Sequence, residues 1–251
     1  MTDAEAPRSF RLAYVPGVTP TKWVRIWNDR LPDVALSLVA TTPQGAADAL
    51  REGAVDMALV RLPIDRTGLD AITLYAETPV VVVPNDHVAT AVQELTTDDL
   101  ADETMLHPLD DALEWERRPG KPAEERPETT ADGIEWVAAG VGLLVVPQSL
   151  ARLHHRKDLT YRTVTDAPES VIALSWPRGE TTDLVEEFIG IVRGRTTNSS
   201  RGASAPAKSL KAADKARLKR ERRAATSNGK SVRSTGGAAK GRPGQARKKR
   251  K

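Results

Sequence analysis

The sequence predicts an α/β fold in which helices pack on a largely parallel sheet. In residues 132–147, apolar side chains fall at helical spacing from Ile134 to Val141, and two glycines then allow a turn. Residues 143–146 are apolar at every position, which is typical of a strand buried on both faces, as in a parallel sheet. The second observation is a β-α-β-α-β order near the start of the chain, which implies parallel strands and right-handed crossovers.

The first part of the chain supplies this alternation. The Thr-Pro pairs at residues 19–20 and 42–43 each provide an N-cap followed by proline at the first helical position. The predicted strands are residues 10–15, 34–40 and 55–60, and the predicted helices are residues 19–31 and 42–50.

Shorter elements follow. A valine run at residues 80–83 is interpreted as a strand that leaves the first domain, and Thr97 opens a short helix. The other predicted strands are residues 69–74, 104–107, 143–146, 159–164 and 171–176, and the other predicted helices are residues 134–141, 149–155 and 182–193.

Two segments carry few apolar residues. Residues 108–130 hold four prolines and form a long loop for a compact domain, so we expect the loop to be mobile or functional. From residue 194 the composition changes to Ser, Ala, Gly, Lys and Arg. Such a segment cannot bury enough apolar surface to offset its ordering entropy, which predicts a disordered tail at residues 196–251.

The composition restricts the class of protein. The 251 residues include no cysteine, which excludes disulfides and thiol chemistry and fits a reducing compartment. The N-terminus has no apolar signal core, and no stretch approaches the roughly 20 apolar residues of a membrane helix. We therefore predict a soluble cytoplasmic protein.

The net charge of +3 conceals a division of charge. Of the 37 Lys and Arg residues, 18 lie from residue 196 onward, together with only two of the 34 acids. The tail therefore carries a charge of +16 and the preceding residues carry −13. This asymmetry indicates a polyanionic partner for the tail.

Five stretches, in this order, resemble the effector-binding domain of LysR-type transcriptional regulators. They are residues 31–34, 50–59, 82–87, 99–103 and 137–147. The resemblance implies a two-lobe, type 2 periplasmic-binding-protein-like fold over residues 8–195, with a small-molecule cleft between the lobes. Lobe I would comprise residues 8–83 and 167–195, and lobe II residues 84–166.

The chain departs from that family in two ways. It begins at the first strand of the sensor, so the N-terminal winged helix-turn-helix of the family is expected to be absent. The loop at residues 108–128 stands where the family usually has a helix and a strand. Lobe II is therefore expected to be abbreviated, and its pocket altered or lost.

Several residues are candidates for contact with a ligand. Thr19 and Thr21 lie at a helix start, where free N–H groups and the helix dipole would hold a carboxylate. Thr41, Thr42 and Gln44 lie at the second strand-to-helix turn, on the side where open α/β sheets bind ligands. At both turns the alternative is a plain helix cap.

Four more candidates complete the predicted ligand site. Arg61 would pair with an anionic ligand, so that Arg61→Ala would weaken binding with little change in melting temperature; the alternative is a solvated arginine. Thr129 and Thr130 match family positions that often face the effector, with a plain cap as the alternative. His107 ends a strand near the cleft, with a packed, hydrogen-bonded histidine as the alternative.

Trp23 and Trp27 share one face of the first helix, which favours core packing. The resemblance offers a homodimer surface as an alternative. His154 and His155 are adjacent in the sequence, so on a helix they would point about 100° apart and would not chelate one metal. We find no catalytic set and expect no cofactor and no metal.

The end of the tail is the candidate nucleic-acid contact. Gly-Arg-Pro within it partly resembles the core of an AT-hook, which binds in the minor groove of A·T-rich DNA. Sequence-independent contact with phosphates is favoured, and the alternatives are a solvated tail or an autoinhibitory contact with the acidic body. The candidate residues are Lys240, Arg242, Arg247, Lys248, Lys249, Arg250 and Lys251.

Three hypotheses about function follow. The first is a non-enzymatic, LysR-like sensor of a small anionic metabolite, with a tail that contacts nucleic acid. The second is a nucleic-acid-associated scaffold whose pocket is not functional. The third, least favoured, is an enzyme on the same fold.

Overall fold

The computed structural model describes residues 9–179 and 181–195. Its helices are α1 (Thr21–Arg30), α2 (Pro43–Arg51), α3 (Thr130–Ala138), α4 (Gln148–Leu153) and α5 (Asp183–Val192). Its strands are β1 (Ser9–Tyr14), β2 (Ala35–Ala40), β3 (Met57–Leu62), β4 (Leu69–Glu77), β5 (Pro79–Pro84), β6 (Glu94–Leu95), β7 (Thr104–Met105), β8 (Lys121–Pro122), β9 (Leu144–Pro147), β10 (Leu159–Val164) and β11 (Ser170–Pro177). Two short 3₁₀ helices span Val88–Ala91 and Asp98–Leu100. None of these helices is long and apolar enough to cross a membrane.

The first sheet has five strands in the order β2-β1-β3-β11-β4. β1 runs parallel to both β2 and β3, as the β-α-β-α-β pattern predicts. β11 follows the strands of the second sheet in the sequence, and it pairs antiparallel with β3 and β4 of the first sheet. The sheet is therefore parallel only where the chain builds it from consecutive β-α units.

The core of the first sheet is centred on three aromatic rings from β1, α1 and α5. Trp27 is fully buried and stacks on Phe10 with ring centroids 4.6 Å apart, and Phe188 lies 5.8 Å from Trp27. The indole Nε1 of Trp27 donates a hydrogen bond to the carbonyl oxygen of Val34. Trp23 is only partly buried against the same core, and a dimer contact through it stays a prediction.

The second sheet has four strands in the order β6-β10-β5-β9. The expectation of a parallel sheet at residues 143–146 holds only at Leu143, which forms a parallel bridge with Met105, because β9 pairs antiparallel with β5 over residues 144–147. The burial of both its faces has a different origin. Leu144 and Val146 pack into one apolar cluster, whereas Leu143 and Val145 pack into another on the opposite face, and the valines of β5 alternate between the same two clusters. An unbroken apolar run therefore fills two cores at once.

The chain crosses between the sheets twice. Thr78 joins β4 of the first sheet to β5 of the second, and residues 165–169 lead from β10 back to β11. The sequence-based boundary after residue 83 leaves the valine run with the first lobe, but its strand pairing belongs to the second sheet. The crossing thus occurs earlier than the composition suggests, because turn residues mark the end of β5 and not its start.

The loop at residues 108–130 packs more closely than its composition suggests. It contains the two-residue strand β8, which pairs parallel with β7, and it has no helix before α3 begins at Thr130. Leu113 is buried in one core of the second sheet. Arg126 donates hydrogen bonds to the carbonyl oxygens of His107 and Pro108, at 2.7 and 2.9 Å. A guanidinium therefore supplies the backbone partners that a helix would otherwise provide.

The unit at residues 132–147 has the predicted helix, turn and strand. Thr129 and Asp132 form a reciprocal capping box at the start of α3. Gly140 has φ +74°. A β-carbon at Gly142 would lie 2.6 Å from the carbonyl oxygen of Thr104, so only glycine allows this close approach of β7.

Candidate functional site

A cleft of about 520 Å³ lies between the β1–α1 connection, the end of β2 and helix α4. The first two of these segments adjoin strands of the first sheet, and α4 follows β9, an edge strand of the second sheet. The lining is mostly apolar, with a few hydroxyl groups and one charged side chain. The lining residues are Tyr14, Pro16, Gly17, Val18, Thr19, Ala40, Thr41, Ser149, Arg152 and Leu153.

Two of the sequence-predicted ligand residues line this cleft together. Thr19 comes from the β1–α1 connection and Thr41 from the end of β2. β1 and β2 are parallel neighbours, so their carboxyl ends meet at one edge of the sheet. Thr21 and Gln44, predicted for the same site, are exposed on their helices and do not line the cleft.

The two predicted helix caps differ from each other. Thr42 caps α2, because its hydroxyl oxygen accepts a hydrogen bond from the Gly45 N–H at 3.0 Å. The prediction that Thr19 caps the first helix is wrong. Pro20 occupies the N-cap position of α1, and no side chain caps this end. Thr19 therefore does not cap α1, and it is one of the residues that line the cleft.

Arg61 is not in the cleft and is not solvated. It is 5% exposed and pairs with Glu77, which is 8% exposed. It also donates hydrogen bonds to the hydroxyl of Ser170 and, at 3.1 Å, to the carbonyl oxygen of Pro16. These partners satisfy the guanidinium inside the protein, so both sequence-based alternatives for Arg61 are replaced by a buried ion pair.

The remaining predicted residues lie around the loop at residues 108–130, and none lines the cleft. Thr129 forms the capping box of α3. The hydroxyl of Thr130 is part-buried and donates to Asp110 at 2.9 Å. His107 is 8% exposed, and its carbonyl oxygen accepts from Arg126. Only Thr129 is the plain cap expected as its alternative; Thr130 instead bonds Asp110, and His107 is packed. A ligand role for these residues stays a prediction.

Burial and nearby positive charges favour the neutral form of the His107 imidazole. Burial, followed by the positive charges of Arg118 and Arg126, lowers the pKa of His107 to about 4. Burial also raises the pKa of Asp111, while Arg118 lies 3.7 Å from its carboxylate. The loop therefore holds an imidazole that stays uncharged through the neutral range.

Sequence analysis missed the contribution of α4 to the cleft. Ser149 and Arg152 stand three residues apart, so they share one face of the helix. The Ser149 hydroxyl is buried without a hydrogen-bond partner in the described part of the chain. Arg152 donates through Nε to the Tyr161 hydroxyl at 3.2 Å and forms no ion pair with a described carboxylate. The i, i+3 spacing was visible in the sequence, but the position of α4 beside the β1–α1 connection was not.

Other chemistry is not apparent within residues 9–179 and 181–195. No group of three or more His, Asp or Glu side chains is placed to hold a metal ion there. The candidate nucleic-acid residues from Lys240 to Lys251 lie outside the described residues.

The arrangement of the two sheets matches solved structures. The effector-binding domain of BenM with its effector benzoate superposes with a TM-score of 0.64 at 18% identity, covering 80% of this chain and 100% of that chain. The reduced form of the OxyR regulatory domain from Pseudomonas aeruginosa gives a TM-score of 0.57 at 18% identity, covering 74% and 95%. The fold is therefore the α/β, type 2 periplasmic-binding-protein-like fold that the sequence predicts.

The sequence itself gives the family. The family model for the LysR substrate binding domain matches residues 5–197, and the chain belongs to that family. A probable hydrogen peroxide-inducible genes activator of Mycobacterium leprae is 32% identical over 145 residues, which cover 54% of this chain and 46% of the relative. This chain thus spans about half the length of that relative. The resemblance to LysR effector-binding domains is thereby confirmed.

We expect Arg61→Ala to lower the free energy of unfolding by about 3–5 kcal/mol, because Glu77 would stay buried without its partner. Urea denaturation measures the loss. Replacing both residues, with Arg61→Met and Glu77→Leu, should cost much less, since no unpaired charge remains. A loss below about 1 kcal/mol in Arg61→Ala would contradict a structural role.

We also expect acid to destabilise the fold through His107. Its pKa is about 4 in the folded chain and about 6.5 when unfolded, so the unfolded state binds the extra proton. The stability that neutral His107 contributes is complete above pH 6.5 and is lost as the pH falls towards 4. His107→Gln should reduce the stability difference between pH 7 and pH 4.5, measured by urea denaturation, by roughly 2 kcal/mol. Equal pH profiles for the two proteins would refute the assignment.

Proposed function

We propose that residues 9–195 bind a small anionic metabolite in the cleft between the β1–α1 connection and α4. The observation that carries this proposal is Arg152, an exposed residue and the one charged side chain among the described lining residues, whose described hydrogen-bond partner is the hydroxyl of Tyr161 and not a carboxylate. A guanidinium placed in this way is a ready partner for a carboxylate. The cleft volume of about 520 Å³ lies in the range of small-molecule sites.

The rest of the lining supports a ligand that is polar at one end and apolar at the other. The hydroxyls of Thr19 and Thr41 offer hydrogen bonds, whereas Tyr14 and Leu153 offer apolar surface. Small carboxylic acids with a ring or a short hydrocarbon body have this character. The benzoate described with the BenM domain belongs to the same class, which makes benzoate the first probe.

The chemistry of the cleft supports binding without turnover. Among its described lining residues there is no carboxylate, imidazole or amine that could act as a general base. Hydroxyl groups and a guanidinium can hold and orient an anion. We therefore propose a sensor and not an enzyme.

We further propose that the chain acts in transcription regulation, with the basic tail in contact with nucleic acid. Curated relatives such as AlsR of Bacillus subtilis, 25% identical over 191 residues, are described as HTH-type transcriptional regulators. The tail brings +16 of charge, which is suited to a phosphate backbone. The alternative is a nucleic-acid-associated scaffold whose pocket is not functional, and the helix-free loop at residues 108–130 favours that alternative.

A small carboxylate should raise the melting temperature of the full chain by mass action, because it binds the native state. We expect protection by sodium benzoate or a related aromatic or aliphatic acid, and not by sodium chloride at equal ionic strength. Arg152→Gln should weaken the affinity about tenfold or more, since a charge-assisted hydrogen bond is lost.

The matched control for Arg152→Gln is Arg156→Gln. Arg156 follows the same helix, but it pairs with Glu135 and Asp158 and does not line the cleft. Its replacement should leave the ligand-induced shift unchanged. No protection by any small acid would favour the scaffold alternative, and equal losses in both variants would remove Arg152 from the site.

Binding of duplex DNA, followed by fluorescence anisotropy, tests the tail. We expect the full chain to bind with an affinity that falls linearly with salt on logarithmic axes. Replacing the seven basic residues between Lys240 and Lys251 with glutamine should make that slope several units shallower, because each phosphate contact contributes about 0.9. An unchanged slope would contradict the proposed contact.

A further inference from the structure

The connection between β1 and α1 presses against α4 at a glycine. Gly17 has φ +84°, and a β-carbon there would lie 2.5 Å from Ser149 Oγ and 3.2 Å from Leu150 Cδ2. A β-carbon there would require the Ser149 hydroxyl to rotate away, and Ser149 Cβ, at 3.1 Å, and Leu150 Cδ2 to shift by a few tenths of an ångström. The contact joins the first sheet to the second at the edge of the cleft that both residues line. We call this contact between Gly17 and Ser149 the glycine seat.

Both sides of the glycine seat are anchored. On one side, the guanidinium of Arg61 holds the carbonyl oxygen of Pro16 at 3.1 Å. On the other, the N–H of Gln148 donates to the carbonyl oxygen of Thr78 at 2.9 Å, and Thr78 is the crossover between the sheets. The seat therefore lies close to the point about which the two parts can pivot. A small displacement there becomes a larger one at the mouth of the cleft.

The hydroxyl of Ser149 makes the seated arrangement costly. Its oxygen is buried and has no hydrogen-bond partner among the described residues. In water the same hydroxyl would be hydrated, so burial in the seat forfeits those hydrogen bonds. Close packing against Gly17 favours the seat, while the unpartnered hydroxyl opposes it. A contact balanced in this way can be shifted by a ligand that touches both sides.

We propose that the glycine seat sets the separation of the two sheets and so controls the width of the cleft. The seated state is the narrow cleft, in which Thr19 and Thr41 face Arg152 of α4. When the seat parts, α4 moves away and the Ser149 hydroxyl gains water. The consequence for ligand binding rests on the proposed function, but the geometric role of the seat does not.

Spin labels on a cysteine-free chain test this directly. Cysteines introduced at Asp29 of α1 and at Lys157, just beyond α4, are exposed and lie on opposite sides of the cleft. Double electron–electron resonance on the full chain, without ligand, gives the distance between the labels. We expect Gly17→Ala to lengthen it, because the new β-carbon would also lie 3.1 Å from Ser149 Cβ, a contact that rotation of the Ser149 hydroxyl does not relieve.

Gly53→Ala is the matched control. Gly53 also has positive φ, +65°, but a β-carbon there meets nothing within 4 Å. The backbone strain of the two substitutions is therefore similar, and they differ only in the steric clash of the added β-carbon with α4. Gly53→Ala should leave the distance unchanged. An equal lengthening in both variants would mean that strain, and not the glycine seat, moves the sheets.

Two further variants separate packing from folding defects. Ser149→Ala added to Gly17→Ala removes the nearest clashing atom and the unpartnered hydroxyl, so it should shorten the distance again. Ser149→Val enlarges the contact from the α4 side and adds no positive-φ strain. As a single substitution it should lengthen the distance between the two labels. Unchanged distances in Gly17→Ala and Ser149→Val, or no rescue by Ser149→Ala, would overturn the proposal.

The same labelled chain keeps the two proposals distinguishable. If the distance responds to these substitutions but benzoate and related acids give no thermal protection, the glycine seat stands and the anion proposal fails. If acids protect the chain but the distance is insensitive to Gly17→Ala and Ser149→Val, the cleft binds anions and the seat proposal fails.

Discussion

The buried pair of Arg61 and Glu77 is the interaction on which the arrangement around the cleft depends. The partners of Arg61 belong to the ends of two strands and to the β1–α1 connection: Glu77 ends β4, Ser170 begins β11 and Pro16 follows β1. Glu77 directly precedes the crossover at Thr78. The Arg61 guanidinium thus holds a residue next to each of the two chain crossings between the sheets, and it holds Pro16 in one wall of the cleft. A hydrophobic replacement could match its stability but not its directional contacts.

Much of the fold follows from local sequence. Helix starts such as Thr42-Pro43 and the capped start of α3 satisfy backbone groups within a few residues, so short patterns predict them. Strand direction does not follow in the same way. β9 is apolar at every position, which indicates two buried faces, but its antiparallel partner β5 lies far away in the chain. Burial could be predicted there, and pairing could not.

The residues of the candidate site also divide into those that local sequence predicts and those whose role depends on distant parts of the chain. Thr19 and Thr41 follow parallel strands, and the topology of such sheets brings strand ends together. From local sequence Arg61 was a candidate anion ligand or a solvated arginine, whereas its partner Ser170 lies 109 residues away in the sequence. Arg152 was overlooked because nothing local distinguishes it from a solvated arginine. Only the packing of α4 beside the β1–α1 connection makes it part of the cleft.

The charge distribution limits how the cleft can select a ligand. The residues before 196 carry a net charge of −13, so an approaching anion is repelled by the body of the protein as a whole. At physiological salt this repulsion is screened over about 8 Å, whereas a guanidinium in contact with a carboxylate is not. In the proposed sensor, selection would therefore come from direct contact with Arg152 and the hydroxyls of Thr19 and Thr41. Because a second negative charge would find no further basic side chain among the described lining residues, such a sensor would favour an anion of single charge over a more highly charged one.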